Sequence, residues 1–257
     1  MIVAVVQARV SSSRLPGKVL KPILGVPMLA RQLERLKRAH KIDRLVVATS
    51  IEKADAAIAT LCEATSTICY RGSLVDVLDR CYRAARPFQP DYVVRLTGDC
   101  PLADWSVVDQ TISFCCERGF DYASNTLRPT WPDGLDVEVV RFSAFEEAWH
   151  EAVLPSEREH VTPFLYHRPK RFRLGSMVQE TDLSGLRWTV DEPEDLAFVT
   201  RVYEALYGDN SAFTTQDILS LLQARPDLRR VNEKLGRNEG FRKSVAADAA
   251  YLASRRD

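Results

Sequence analysis

The sequence has no run of eighteen apolar residues, and so no segment long enough to cross a bilayer as one helix. It has no excess of either charge: 35 Lys and Arg balance 35 Asp and Glu, which gives no electrostatic reason to expect a nucleic-acid partner. Met1 leads straight into a β-branched run instead of a charged and then apolar leader, and these absences together point to a cytoplasmic protein with neither membrane nor nucleic acid as partner. Cys62, Cys69, Cys81, Cys100, Cys115 and Cys116 contain no C-x-x-C pair, so they signal neither a zinc site nor a disulfide framework and are expected as small core hydrophobes. Two phosphate-binding patterns are missing as well. There is no G-x-x-x-x-G-K-[ST], which excludes a Walker A loop, and no G-x-G-x-x-G, which excludes the dinucleotide fingerprint.

What is present begins at the amino terminus. With 257 residues and 46% hydrophobic content, the chain can build one large α/β domain or two modest ones. Ile2 to Val6 is a short, β-branched apolar run of the kind that forms a buried parallel strand. The loop that follows, Gln7 to Lys18, lies where open α/β sheets bind ligands, at the carboxyl end of a strand. It carries three fixed cations, Arg9, Arg14 and Lys18, and the small residues Ala8, Ser11, Ser12, Ser13 and Gly17. Guanidinium forks and a lysine point charge suit a polyanion, and small residues let backbone N–H groups come close to phosphate oxygens. The stretch reads either as a triphosphate cradle or as an ordinary solvated basic loop.

Periodicity places strands at 2–6, 44–49, 67–70, 92–96, 121–125, 135–140, 171–177 and 186–190. Helices are expected at 27–39, 53–63, 75–85, 104–118, 143–151, 156–166, beyond Asp191 to 207, and at 215–224. The alternation implies right-handed crossovers and a mainly parallel sheet. Two carboxylates follow apolar strands: Asp99, in Thr97-Gly98-Asp99-Cys100-Pro101, and Asp191, in Val190-Asp191-Glu192-Pro193-Glu194-Asp195. Each is either a turn or helix cap, with Glu194 completing a box with Asp191, or one of the few oxygen ligands that Mg²⁺ takes besides substrate phosphates. Asn125, Asp133, Asp136 and Glu138 are either polar residues of a half-exposed strand or groups that orient sugar hydroxyls. Ser156 and Glu159 have the spacing of a capping box, with ligand contact by Arg158 or His160 as the other possibility.

The run Ala8-Arg9-Val10-Ser11-Ser12-Ser13-Arg14-Leu15-Pro16-Gly17-Lys18 resembles the A-R-x-x-S-x-R-L-P-G-K signature of the cytidylyltransferases that make CMP-activated acidic sugars. The G-D-x-P turn at Asp99 and the V-D-x-P-E-D-L segment at Asp191 resemble that family's two metal segments, in the same chain order. Over residues 1–207 the resemblance implies one α/β domain, a Rossmann-like three-layer nucleotidyltransferase fold of the GT-A kind with a mixed, mostly parallel sheet. It implies CTP and an acidic or modified sugar as substrates, Mg²⁺ on Asp99 and Asp191, catalytic Arg9 and Lys18, and a homodimer. It further implies nucleotide contacts from Ala8, Arg9, Ser13, Arg14, Gly17, Lys18, Arg71, Asp76 and Thr97, and sugar contacts from Asn125, Asp133, Asp136 and Glu138. Residues 208–257 are expected as a helical extension packed on the core or on a partner subunit. The loop 71–80 lacks the Q-S-G-T-[DE]-R segment of the keto-deoxy-octulosonate enzymes, and the chain is more similar to the spore-coat-polysaccharide F type members, as Pro132 to Glu138 and Asn238 to Phe241 also suggest. Outside this reading stand a metal-dependent glycosyltransferase, for which Gly98-Asp99-Cys100 lacks the D-x-D, a nucleotidyltransferase using another triphosphate, and a non-catalytic nucleotide-binding subunit.

Overall fold

The computed structural model describes residues 1–235, 247–249 and 251–253; Arg237, Arg242, Lys243 and the segment Asn238 to Phe241 lie outside them. The strands are β1 (Ile2–Gln7), a small hairpin β2 (Pro22–Ile23) and β3 (Val26–Pro27), then β4 (Arg44–Ser50), β5 (Ile68–Gly72), β6 (Tyr92–Thr97), β7 (Tyr122–Ser124), β8 (Glu138–Arg141) and β9 (Leu174–Ser176). All but the hairpin form one seven-stranded sheet in the order β5-β4-β1-β6-β8-β7-β9. Only β8 runs against the rest, pairing antiparallel with both β6 and β7. The chain steps outward from β1 to β4 and β5 and then returns to β6 on the other flank of β1. That reversal opens a crevice at the carboxyl ends of β1 and β6, where Gln7 lies opposite Thr97.

The helices are α1 (Met28–Leu36), α2 (Ala56–Ala64), α3 (Val77–Ala85), α4 (Trp105–Arg118), α5 (Phe142–Glu151), α6 (Pro155–His160), α7 (Pro163–Tyr166), α8 (Pro193–Leu206), α9 (Thr215–Ala224) and α10 (Pro226–Arg229). They cover both sheet faces, which is why β1 is apolar at every position from Val3 to Val6. Ala4 and Val6 pack with residues of α1, α2, α4 and α8, and Val3 and Val5 with residues of α3, α5 and α7. Cys62, Cys81, Cys100 and Cys115 are buried, and all six cysteines are free thiols. No helix among the described residues is long and apolar enough to cross a membrane.

The residues after 207 join the first of these cores: Phe213, Ile218, Leu222 and Leu228 are buried in it. The guanidinium of Arg35 in α1, 2% exposed, donates to Ala103 O at 2.8 Å and to Phe213 O at 2.9 Å, tying the extension to the loop that follows β6.

Four expectations are corrected. The helix 156–166 is two short ones, because Pro163 has no N–H to continue the ladder and Val161 turns at φ 75°. There, Thr162 N donates to His160 O at 2.9 Å, a γ-turn of the rare positive-φ kind, and α6 ends sharply. The capping box is also displaced: Glu157 accepts from Leu154 N, while Ser156 donates to Asp248. Residues 186–190 form no strand; their one ladder contact is a parallel bridge between Arg187 and Asp133. Finally, β8 begins only at Glu138, and its outward polar face is not wet: Glu138 is 7% exposed and ion-paired with Arg95.

Candidate active site

The loop after β1 closes on itself. Val10 O accepts from Ser12 N at 2.8 Å and from Gly17 N at 3.0 Å, and Val10 N donates to Asp55 at 2.7 Å. Leu15 plugs into the core at 7% exposure, and Gly17 at φ 69° adopts a left-handed conformation that other residues resist. This folding delivers Lys18 inward, where it opens a single 3₁₀ turn, Lys18–Leu20. Against the loop runs the strip after β6. Gly98 is required there by close approach: a Cβ would stand 2.9 Å from both Ala8 Cβ and Gln7 O.

The Lys18 ammonium is the meeting point. It donates to Asp99 Oδ2 at 2.8 Å, Asp191 Oδ1 at 2.8 Å and Val190 O at 2.9 Å. The two acidic segments are joined behind it, since Val190 N donates to Asp99 O at 2.8 Å. Arg14 reaches Asp191 at 2.9 Å and Glu192 at 3.5 Å. Asp191 is not the cap of α8. Glu192 is the N-cap, and Asp195, three residues on inside the helix, accepts from the N–H groups of Asp191 and Glu192 at 2.9 and 3.0 Å, leaving the Asp191 side chain to face the crevice.

Burial alone would raise the Asp99 carboxyl, but the Lys18 ammonium, aided by a hydrogen bond from Thr97, holds it down at about 2. Burial likewise disfavours the Lys18 cation, and Asp99 and Asp191 outweigh it, so Lys18 is raised and stays charged. A carboxyl depressed below its unfolded value of about 4 adds stability that is present above that pH and disappears as pH falls toward the folded value. Melting temperatures measured from roughly pH 5 down to pH 2 are therefore expected to fall less steeply in Asp99→Asn than in the wild type. Equal slopes would show that the pair contributes nothing to the acid limb.

Ala8, Arg9, Ser13, Arg14, Lys18, Thr97, Asp99 and Asp191 line one cavity of about 570 Å³. Gly17 shapes the loop from behind. The other expected contacts lie elsewhere. Arg71 braces the sheet edge through Ser50 O at 3.0 Å and Glu52 O at 2.9 Å. Asp76 caps α3 through Asp79 N at 2.9 Å and pairs with Arg158. Of the four residues expected around a sugar, none lines the cavity. Asn125, 1% exposed, spends its amide on Leu135 O and Val137 N at 2.7 and 2.9 Å. Glu138 is held by Arg95, Tyr122 and Thr162, and Asp133 by Arg187 at 3.2 Å, while Asp136 is half-buried on the same segment.

Gln7, Arg80 and Glu159 line the cavity without having been expected as ligands, and so does His160, for which ligand contact was the alternative to a capping role. Arg80 is 2% exposed, donates to Ser73 O and to Leu74 O, and makes no ion pair among the described residues. Its spacing of three from Val77, another lining residue, puts both on one face of α3, a signal available in the sequence. Burial, then the nearby Arg95 charge, push the His160 imidazole below its ordinary value. Ala247 also lines the cavity, and its neighbour Asp248 accepts from Ser156 N at 2.9 Å.

The donor set fits a hard divalent cation. Two carboxylate oxygens converge on a single point, which is as many protein ligands as Mg²⁺ commonly takes when phosphates and water fill the rest of its octahedron. Among the described residues no group of three or more His, Cys, Asp or Glu forms a complete protein cage.

The family model for Cytidylyltransferase matches residues 3–206. An uncharacterized protein of Methanocaldococcus jannaschii is 34% identical over 245 residues, 94% of this chain and 98% of that one. The spore coat polysaccharide biosynthesis protein SpsF of Bacillus subtilis is 30% identical over 241 residues, 88% of this chain and 95% of its own length. A cytidylyltransferase structure from Leptospira borgpetersenii superposes with a TM-score of 0.84 at 29% identity, covering 93% of this chain and 99% of that one. With the cationic loop and both acidic segments gathered at the β1–β6 crevice of a mostly parallel α/β sheet, the chain belongs to the cytidylyltransferase family, in its SpsF-like branch.

Proposed function

We propose that the chain is a CTP-dependent transferase that activates an acidic or modified sugar for surface polysaccharide, in the cytoplasm and as a homodimer, with Mg²⁺ as cofactor. The observation that carries the reading is the Lys18 ammonium set between Asp99 and Asp191 inside the cationic loop, an arrangement suited to a nucleoside triphosphate and its cation. Residues 1–207 serve as the nucleotidyltransferase domain and 208–257 as its extension. SpsF of Bacillus subtilis, by its name, works in spore coat polysaccharide biosynthesis, which supports a saccharide acceptor here.

In the proposed reaction a sugar hydroxyl oxygen attacks the α-phosphorus of CTP and gives up its proton to water, the bond from that phosphorus to the bridging oxygen breaks, and pyrophosphate leaves with its electron pair. Charge builds on phosphate oxygens, so the protein contributes chiefly position and preorganised positive charge. Lys18 and Arg9 neutralise the α-phosphate and the leaving group, and Arg14 anchors the loop through Asp191 and Glu192. Ser11 to Ser13 and the backbone of the loop hold the phosphate chain, and the buried Arg80 supplies a further cation in the wall. Asp99 and Asp191 would hold Mg²⁺, whose Lewis acidity would lower the pKa of the attacking hydroxyl and offset phosphate charge.

A pyrophosphate-release assay with the four nucleoside triphosphates and a panel of 2-keto-3-deoxy acids tests this. Release with CTP, dependent on one of the acids and at least about tenfold faster than with any other triphosphate, is the expected result. Equal use of all four, or transfer from a nucleotide-sugar in place of pyrophosphate release, would overturn it.

A further inference from the structure

Asp191 is gripped from two sides, and the second side leads away from the cavity. Its Oδ1 meets Lys18 at 2.8 Å and Arg14 at 2.9 Å, while its Oδ2 accepts from Arg187 Nη2 at 3.1 Å. Arg187, 8% exposed, sets its planar fork on Asp195 through Nε and Nη2, both at 3.0 Å, and reaches Asp133 at 3.2 Å. The fork cannot turn without losing both bonds to Asp195, so the Asp191 carboxylate is fixed in plane and presents Oδ1 to the crevice. Asp195 is fully buried and also accepts the N–H groups of Asp191 and Glu192.

Behind this pair stands one residue of the extension. Asn232, 5% exposed, donates through Nδ2 to Arg187 O at 2.9 Å and to Asp195 Oδ1 at 2.8 Å. It bonds at once the backbone of the residue that orients Asp191 and the carboxylate that orients that residue. The segment that brings it there is seated by Phe213, Ile218, Leu222 and Leu228, all in the core.

We propose that Asn232, acting through Asp195 and Arg187, is a positioning residue for Asp191, which makes the extension beyond residue 207 a working part of the site. The proposal rests on the reading of Asp191 as a cation ligand. Partners of this kind hold a carboxylate in the geometry an ion needs, and their loss is felt as metal affinity.

The test uses the full chain with Asn232→Ala, reading Mn²⁺ bound in the presence of CTP by electron paramagnetic resonance and the Mg²⁺ concentration for half-maximal pyrophosphate release. Both constants are expected to rise about tenfold, with kcat at saturating Mg²⁺ within about twofold of the wild type. Asn232→Ser, whose shorter donor reaches one acceptor at best, is expected to shift both constants less and in the same direction, and is the variant to read should Asn232→Ala not fold. Unchanged metal constants, with or without a lower melting temperature, overturn the proposal. Asp191→Asn separates the two readings. If it loses Mn²⁺ while the Asn232 variants do not, only the present inference falls; if it binds Mn²⁺ normally, the cation-site reading falls with it.

Discussion

Asp99→Asn and Asp191→Asn are each expected to lower turnover by about a thousandfold, equivalent to about 4 kcal/mol of lost transition-state stabilisation. Both substitutions keep side-chain size and remove one negative charge. Amide groups in place of the carboxylates leave a divalent cation with neutral ligands where two anions now converge on the Lys18 ammonium at 2.8 Å each. The two variants are expected to fold, because Val190 N to Asp99 O and the Asp195 bonds to the backbone of Asp191 and Glu192 involve neither side chain. Single-turnover rates at saturating CTP, with circular dichroism as the folding check, measure the effect. A near-normal rate in either variant would remove that residue from the site.

Lys18→Met is expected to have the second largest effect, a loss of about a hundredfold or more in kcat/KM for CTP. The ammonium does two things. It brings positive charge to the phosphates, and without ligand it holds the buried Asp99 carboxyl in its ionised form. Removing it leaves the buried Asp99 carboxyl without the cation that offsets its burial, so its pKa rises. The pH–rate profile of Lys18→Met should therefore show an acidic limb displaced upward from that of the wild type. Lys18→Arg is expected to recover little, because a planar fork cannot replace a point charge that donates in three directions to Asp99, Asp191 and Val190 O. Recovery of most of the activity by arginine would mean that Lys18 acts as bulk charge alone.

What was legible in the sequence depended on distance along the chain. The loop from Gln7 to Lys18 could be read because its cations, hydroxyls and glycine are contiguous, so the local strand-to-loop geometry brings them together whatever the rest of the chain does. The strands of the parallel half could be read because burial on two faces leaves an unbroken apolar run. Asp99 and Asp191 each follow apolar sequence, although the stretch before Asp191 makes no ladder beyond the bridge from Arg187 to Asp133.

The remainder depended on partners far away. Period-two alternation around Val137 indicates that Glu138 faces away from Val139, but not that Arg95, Tyr122 and Thr162 wait on that side to bury it. Asn125 looks like a ligand for hydroxyls until the backbone at Leu135 and Val137 claims both ends of its amide. Arg187 has no local pattern to mark it: its burial depends on Asp133 and Asn232, far away along the chain. The break at Val161, by contrast, had its signal in Pro163, and the helical spacing around it outweighed that signal.

The proposed chemistry requires one divalent ion and one triphosphate to meet at Lys18, Asp99 and Asp191. A crystal soaked with CTP and Mn²⁺, measured at a wavelength where manganese scatters anomalously, tests this most directly. A single anomalous peak within about 2.3 Å of an oxygen from each aspartate and from a CTP phosphate, with the Lys18 ammonium moved onto the phosphates, is the predicted result. CTP bound with Lys18 still bridging the two carboxylates, and manganese elsewhere, would contradict it.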